Sequence, residues 1–254
     1  MTLPRTPSFR LDGRTALVTG AGRGIGLGAA VALAEAGAAG TLVSRPAGEV
    51  EAVAAAIREA GGTATGAALD VTDTAAVSRF VAGRGPFDVL VNNAGGARHT
   101  TLADVTEADY DVVTDLNVKA AFFVARAVAL ALLEAKRPGS IVNVSSQMGH
   151  VGGPKRAVYC ATKHAMEGFT KAMALELAPA GIRVNTLCPT FVETPMTRPM
   201  LEDATFRDFV LSKIPMGRVG RIEDLMGPVV FLASDASALV TGTHLVVDGG
   251  WTAQ

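Results

Sequence analysis

The sequence predicts an α/β fold: a doubly wound three-layer sandwich with a seven-stranded parallel sheet. Short apolar segments rich in β-branched residues alternate with longer helical patterns along most of the 254 residues. The apolar segments are continuous and do not alternate with polar residues, which is typical of strands that helices cover on both faces. The helical patterns end near a glycine, as at Gly37 and Gly61, and helix C-termini commonly end in this way.

The strands are predicted from the apolar runs, of which Ala16-Leu17-Val18 and Ile141-Val142 are the clearest. The seven strands cover residues 16–19, 41–43, 63–68, 89–91, 140–145, 184–187 and 244–247. The first two connecting helices are predicted over 25–36 and 48–60. Residues 189–221, rich in Pro, Met and Thr, break the alternation, and such an excursion after a strand is typical of a mobile lid over a site. No Pro- or Ser-rich linker interrupts residues 1–254, so we expect one dinucleotide-binding catalytic domain.

Composition excludes several classes of protein. The net charge of −1 and the sequence pI of about 6.4 argue against nucleic-acid binding. The N-terminus lacks the apolar core of a secretory signal, which favours the cytoplasm. The apolar stretch 120–133 contains Arg126 and is shorter than the roughly 20 residues that span a bilayer, so a buried helix and no membrane partner are expected. Cys160 and Cys188 are too few for a disulfide framework, and no Cys/His group has the spacing of a metal site.

A glycine-rich turn follows the first strand and opens the first helix. Gly20, Gly24 and Gly26 occupy the positions where a side chain would keep the backbone away from a pyrophosphate. The free N–H groups and the dipole at the start of the helix favour an anion there. An ordinary strand-to-helix turn is the alternative, because glycine motifs alone are weak indicators.

The spacing Gly-x-x-x-Gly-x-Gly and three further motifs resemble the short-chain dehydrogenase/reductase family. Asn92-Asn93-Ala94-Gly95 follows the fourth strand, Tyr159 and Lys163 lie four residues apart, and Ser146 precedes Tyr159 by thirteen residues. Asn117 matches the fourth catalytic position of the family. The resemblance runs from about residue 10 to 251 and implies a Rossmann-like fold and an oxidoreductase that interconverts a ketone or aldehyde and an alcohol by hydride transfer.

The chemistry of these residues supports that implication. Tyr159 and Lys163 share one face of a helix, and an ammonium group beside a phenol lowers its pKa from about 10 toward neutrality. Tyr159 is therefore the expected proton donor and acceptor. The resemblance further implies that Lys163 bonds the nicotinamide ribose, Ser146 holds the substrate oxygen and Asn117 supports a proton-relay water. The neighbouring Ser145 is the alternative candidate for the catalytic serine. The thirteen-residue offset from Tyr159, which is that of the family, selects Ser146.

The second strand indicates the dinucleotide. Ser44 stands where NAD-dependent proteins of this fold carry an acidic residue, and Arg45 follows it. With Arg23 in the glycine turn, two guanidinium groups are available for the extra phosphate of NADP. NADP(H) is therefore favoured, and NAD(H) is the alternative if Arg45 is only a solvated charge.

The other cofactor contacts come from the resemblance. Asp70 and Val71 match positions beside the adenine, and Thr194 matches a position near the carboxamide of the nicotinamide. Thr190 stands where the family commonly has glycine. The full predicted cofactor set is Gly20, Arg23, Gly24, Ile25, Gly26, Ser44, Arg45, Asp70, Val71, Asn93, Ala94, Gly95, Tyr159, Lys163, Pro189, Val192 and Thr194.

The substrate is expected to be a small carbonyl or alcohol compound. Gln147 and His150 favour a sugar, sugar acid or polyol, whereas Met148 and Met196 suit a 3-oxoacyl compound or a simple ketone. The family resemblance and the alanine-rich helices imply a homo-oligomer, a tetramer or a dimer. A dinucleotide-binding sensor without turnover, and an epimerase or dehydratase on the same scaffold, are the alternative functions.

Overall fold

The computed structural model describes residues 1–253. Seven strands form one parallel sheet in the order β3-β2-β1-β4-β5-β6-β7. They are β1 (Thr15–Thr19), β2 (Ala39–Ser44), β3 (Thr63–Ala68), β4 (Val89–Asn92), β5 (Gly139–Val144), β6 (Ile182–Pro189) and β7 (His244–Val247). All seven predicted strands are therefore confirmed, with bounds shifted by two residues or fewer.

Nine α-helices connect and cover the strands within the described residues. They are α1 (Gly24–Glu35), α2 (Ala47–Glu59), α3 (Thr74–Arg84), α4 (Glu107–Thr114), α5 (Ala121–Glu134), α6 (Ala157–Leu177), α7 (Arg198–Leu201), α8 (Ala204–Ser212) and α9 (Glu223–Ala233). The predicted helices 25–36 and 48–60 correspond to α1 and α2. The glycines that follow them, Gly37 and Gly61, have φ angles of +107° and +87°, the left-handed conformation expected after a helix.

The winding of the chain reverses between β1 and β4, which are neighbours in the sheet. One apolar layer packs α1, α2 and α9 on one face of the sheet, and a second packs α3, α5 and α6 on the other. The doubly wound three-layer sandwich is thus confirmed. Open sheets of this kind bind ligands at the carboxyl edge of the strands where the winding reverses, so the site is expected beyond β1 and β4.

The excursion after β6 forms a small unit of its own. It contains α7 and α8, and Phe191, Val210 and Ile214 are the buried members of its apolar cluster. Two backbone hydrogen bonds close its base: Gly220 donates to Phe191 at 2.8 Å, and Glu193 donates to Gly220 at 2.8 Å. The excursion is therefore held at both ends beside the carboxyl edge of the sheet.

One helical stretch, Glu107–Glu134, is long and apolar enough by length and composition to cross a membrane. The prediction of a shorter segment was wrong because α4 and α5 are joined by a π-helical turn, Asp115–Ala120, into one run of 28 residues. Its inner face packs into the sandwich, with Val128 and Leu132 fully buried. Core helices pass the same test of length and composition, and this helix forms part of a covering layer.

Candidate active site

The glycine turn after β1 has the backbone that its sequence predicts. Gly20 and Gly24 have φ angles of +63° and +58°, which only glycine adopts without strain. A Cβ on Gly26 would stand 2.2 Å from the carbonyl oxygen of Gly20 and 2.5 Å from Nδ2 of Asn93. Gly26 therefore permits the close approach of α1 to the end of β1.

Polar side chains tie the end of β4 to this turn. The buried Thr19 hydroxyl accepts hydrogen bonds from the backbone N–H groups of Asn93 at 3.0 Å and Ala94 at 2.9 Å. The Asn93 side chain donates to the carbonyl oxygens of Thr19 at 3.0 Å and Gly20 at 3.1 Å. Sequence reasoning missed Thr19, whose position as the last residue of a strand was the available signal.

A cleft of about 740 Å³ opens along this edge of the sheet. Its lining includes most of the predicted cofactor residues: Gly20, Arg23, Gly24, Ile25, Ser44, Arg45, Asp70, Val71, Asn93, Ala94, Gly95 and Thr194. A cleft of this volume, with a bare glycine backbone at one point, fits a dinucleotide. The lining does not include Gly26, Tyr159, Lys163, Pro189 or Val192, which stand behind or beside the cleft.

The adenosine end of the cleft contains a carboxylate that the sequence argument overlooked. Glu49, near the start of α2, lines the cleft beside Ser44 and Arg45, and its Oε2 lies 2.8 Å from where a Cβ on Gly22 would be. The inference that no acidic group faces a 2′-phosphate was therefore incomplete. Asp70 lies close to Arg45, and hydrogen bonds from Thr72 hold the pKa of the Asp70 carboxyl below its usual value.

The structure brings three of the four predicted catalytic side chains together at the end of β5. Ser146 and Arg156 lie close to the Tyr159 phenol and partly offset the rise in its pKa that burial causes. Nζ of Lys163 lies 5.6 Å from the centroid of the Tyr159 ring and donates a 2.9 Å hydrogen bond to the carbonyl of Val144. Burial lowers the pKa of Lys163 to about 8.

The expected direction of the Tyr159 pKa shift was wrong for this structure. We expected the Lys163 ammonium to lower it, whereas desolvation of the phenol dominates and raises it. Lys163 occupies the same helix face but directs its ammonium at the backbone of β5. The phenol is consequently held in its protonated form, which is the form that donates a proton.

Asn117 lies in the π-helical turn between α4 and α5. Its side-chain amide donates to the Gly96 carbonyl at 2.8 Å and to Oγ1 of Thr162 at 3.1 Å, and its Oδ1 accepts from the Gly96 N–H at 2.9 Å. Asn117 thus links the loop after β4, through Gly96, to α6, through Thr162, which is the residue before Lys163. π-Helical turns are frequent at functional sites because they redirect one side chain from the helical register.

The two adjacent serines point in different directions. Ser146 Oγ donates to the Gln147 side chain at 2.9 Å and lies near the Tyr159 phenol. Ser145 Oγ instead lies toward Gly149 and Cys188, on the far side. Alternation along the extended backbone separates them, as the sequence argument assumed.

A second cavity, of about 480 Å³, lies between the excursion after β6 and the turn after β5. Four aromatic side chains contribute to its walls, and its lining residues are Met148, Val151, Gly152, Gly153, Pro154, Arg156, Phe191, Phe206, Phe209, Lys213 and Trp251. Phe191 and Trp251 pack with ring centroids 5.7 Å apart, so Trp251 has contacts within its own chain. This cavity is the candidate substrate pocket.

The four predicted pocket residues have different placements. Met148 lines the candidate substrate pocket. Met196 lines the dinucleotide cleft, and Gln147 is buried against Ser146. His150 lines neither of these two cavities, and its ring packs on His244 with centroids 4.4 Å apart, so its contact with the substrate stays a prediction.

His150 belongs to a cluster behind the catalytic helix that sequence spacing did not reveal. His150, Glu167 and Cys188 place one potential ligand atom each within 4.8 Å of one another. Burial and Glu167 raise the pKa of the Cys188 thiol to about 12, and the protonated thiol lies 3.3 Å from a Glu167 oxygen as a hydrogen-bond donor. Glu167 follows Lys163 by one helical turn, and its negative charge favours the Lys163 ammonium.

Thr190, the departure from the family pattern, extends the edge of the sheet. Its backbone N–H donates to the Val247 carbonyl at 3.2 Å. Its hydroxyl is buried and has no hydrogen-bond partner among the described residues. The threonine is therefore accommodated without interrupting β6.

Comparison with known proteins agrees with this site. A family model described as "Enoyl-(Acyl carrier protein) reductase" matches residues 20–252. The chain is 41% identical to the L-xylulose reductase of Bos taurus over 245 residues, covering 96% of this chain and 99% of that protein. It is 41% identical over 248 residues to the gluconate 5-dehydrogenase of Gluconobacter oxydans, covering 96% of each chain.

A solved structure shows the same architecture. The gluconate 5-dehydrogenase of Burkholderia cenocepacia, in complex with NADP and tartrate, superposes with a TM-score of 0.92 at 40% identity, covering 97% of this chain and 98% of that one. The fold, the motifs and these relatives together establish that the chain belongs to the short-chain dehydrogenase/reductase family of NAD(P)-dependent oxidoreductases.

Proposed function

We propose that the protein is an NADP(H)-dependent oxidoreductase that interconverts a ketone and a secondary alcohol on a sugar, polyol or sugar acid. The observation that carries the proposal is the grouping of Ser146, Tyr159 and Lys163 beside one another at the end of β5. Neither a sensor nor a simple binding module needs a partly buried phenol beside a buried ammonium.

The residues divide the proton chemistry among them. In the direction of reduction, Tyr159 donates its proton to the substrate oxygen, and Ser146 donates a hydrogen bond to the same oxygen. The Lys163 ammonium, favoured by the Glu167 carboxylate, stabilises the phenolate that remains. The bound nicotinamide supplies or accepts the hydride. Asn117 fixes the position of the loop after β4 relative to the helix that carries Tyr159.

Two observations support NADP(H). Arg23 and Arg45 both line the adenosine end of the cleft, and guanidinium groups bind phosphate through paired hydrogen bonds. The related gluconate 5-dehydrogenase of Burkholderia cenocepacia is described with NADP. Glu49 favours NAD(H) as the second candidate, because a carboxylate beside the ribose repels a 2′-phosphate.

The relatives suggest two kinds of substrate. L-Xylulose reductase and D-erythrulose reductase are named for neutral sugars, whereas gluconate 5-dehydrogenase and 2-keto-3-deoxy-L-fuconate dehydrogenase are named for sugar acids. A 3-oxoacyl reductase from Thermotoga maritima is 41% identical as well. Polar hydroxylated substrates agree best with a pocket that contains two cationic side chains, Arg156 and Lys213.

The test is a turnover screen that follows NADPH and NADH absorbance with ketoses, keto-sugar acids, 3-oxo esters and simple ketones. We expect turnover of a ketose or keto-sugar acid, faster with NADPH. Tight cofactor binding without turnover of any carbonyl would favour the sensor. Epimerised or dehydrated product without net change in cofactor absorbance would favour the epimerase or dehydratase.

Assembly and location are further proposals. Apolar side chains on the outer surface of α5 and α6 are exposed, among them Leu130, Leu133 and Leu175. Their exposure supports a homo-oligomer, tetramer or dimer, that buries this surface. Light scattering on the purified protein measures the state directly. A single catalytic domain located in the cytoplasm stays a prediction.

A further inference from the structure

Arg156 has an unusual environment for a partly buried arginine. It precedes α6, three residues before Tyr159, and its guanidinium stacks 5.2 Å from the centroid of the Phe191 ring. Burial lowers its pKa, yet a guanidinium remains charged in proteins. Its hydrogen-bonding contact is with the ring of His99, whose nitrogens lie 3.1 and 3.2 Å from Nη1.

No carboxylate among the described side chains offsets this charge. Within residues 1–253, no Asp or Glu lies within ion-pairing distance of Arg156. Burial lowers the pKa of His99 to about 4, so at neutral pH the histidine is neutral and supplies no counter-charge. Partly buried charges in folded proteins are normally paired, because desolvating an unpaired ion is costly.

Arg183 shows what a purely structural arginine looks like in the same chain. It is also partly buried, but its guanidinium donates to Ser237 Oγ at 2.8 Å and to the Ser234 carbonyl at 3.1 Å, and Asp235 lies near enough to favour its charge. Arg156 has five N–H donors and no comparable set of oxygen acceptors. Its remaining donors are available to a ligand.

The cavity in front of Arg156 has the charge that an anion requires. The candidate substrate pocket contains the guanidinium of Arg156, and no acidic residue is among its described lining. Phe191, Phe206 and Trp251 give the pocket apolar walls, and electrostatic attraction is stronger beside apolar walls than in open water. Arg156 lies near enough to Tyr159 to influence the phenol electrostatically, so a short substrate reaches both groups.

We propose that Arg156 binds the carboxylate of the substrate and thereby makes the enzyme selective for keto-sugar acids and hydroxy acids over neutral sugars. The inference rests on the proposed carbonyl reductase activity. A planar guanidinium stacked on Phe191 is fixed in orientation, and it presents paired donors to a carboxylate. With the carboxylate on Arg156, the carbonyl at the other end of a short chain lies toward Tyr159.

The experiment compares a six-carbon keto-sugar acid with the neutral ketohexose of the same length as substrates of the wild type and of Arg156→Met. In the wild type we expect the acid to have the higher kcat/KM. Arg156→Met should raise KM for the acid about 10- to 100-fold, because a charge-assisted hydrogen bond is lost, and should lower the ratio of kcat/KM for the acid to kcat/KM for the neutral ketose by a similar factor. Arg156→Lys, which keeps the charge but not the paired donors, should restore part of the loss.

Arg207→Met is the matched control, since it removes the same charge from an exposed position on α8 that lines neither cavity. It should leave the preference for the acid unchanged. A wild type that prefers the neutral ketose, or an Arg156→Met variant that loses both substrates equally, would overturn the proposal.

A second readout separates this proposal from the catalytic one. Calorimetric titration of D-gluconate into the protein saturated with NADPH measures anion binding without turnover, because an alcohol and a reduced cofactor cannot exchange a hydride. Binding that weakens about 10-fold or more in Arg156→Met, but not in Arg207→Met, supports the carboxylate site even if no carbonyl in the screen is reduced. Equal gluconate affinity in all three proteins overturns the site, whatever the activity.

Discussion

Gly26→Ala is expected to destabilise the protein and weaken cofactor binding. The added Cβ would stand 2.2 Å from the carbonyl oxygen of Gly20, whereas ordinary contacts begin at 3.4 Å, so one backbone must move by about 1.2 Å. The same Cβ would stand 2.5 Å from Nδ2 of Asn93. That amide holds the carbonyls of Thr19 and Gly20, so the movement strains the hydrogen bonds that join β4 to the turn.

The magnitude follows from opposing terms. Overpacking costs about 1–3 kcal/mol, and each weakened hydrogen bond costs about 1 kcal/mol. Alanine has the better helix propensity by about 1 kcal/mol, which offsets part of the loss. The net destabilisation is about 2–4 kcal/mol, equivalent to a decrease in Tm of roughly 4–16 °C for a chain of this length.

Thermal unfolding followed by circular dichroism measures the effect, and fluorescence titration with NADPH measures the affinity. Gly83→Ala in α3 is the control, because a Cβ there meets nothing within 4 Å. It should leave NADPH affinity unchanged and raise stability by up to about 1 kcal/mol. If Gly26→Ala matched Gly83→Ala in Tm and in NADPH affinity, the argument from close backbone approach would be refuted.

The remaining predictions concern the chemistry. Tyr159→Phe should lower carbonyl reduction at least about 100-fold, because the proton donor is lost, while the Kd for NADPH changes little; substantial residual turnover would exclude Tyr159 as the donor. Ser146→Ala should cause a comparable loss and Ser145→Ala only a small one, and the reverse order would contradict the assignment. Reduction should decline as the pH rises through about 8, because Lys163 there loses the charge that stabilises the phenolate. A profile that stays flat from about pH 7 to 10 would contradict this role. Arg45→Ala should weaken NADPH about 10-fold and leave NADH affinity unchanged, and an unaltered preference in competition assays would remove the support for NADP(H).

The sequence by itself determined the features that depend on local periodicity and chain order. Continuous apolar runs predicted all seven strands, and the glycines after α1 and α2 marked where those helices end. Strand-helix alternation requires parallel crossovers, so the carboxyl ends of β1 and β4 had to meet at one edge. Those constraints are local or topological, which is why a single sequence suffices for them.

The tertiary structure decided what depends on the approach of distant residues and on the exclusion of water. Glu49 reaches the cleft beside Arg45 only because α2 packs next to the glycine turn. The contact of His150 with His244 joins residues far apart in the sequence and depends on the pairing of β6 with β7. The direction of the Tyr159 pKa shift depends on how far the fold desolvates the phenol. The four-residue spacing of Tyr159 and Lys163 does not reveal this desolvation. Arg156 is a further example. In the sequence it is one of many cations, whereas in the folded chain it is a partly buried charge without an acidic partner among the residues described.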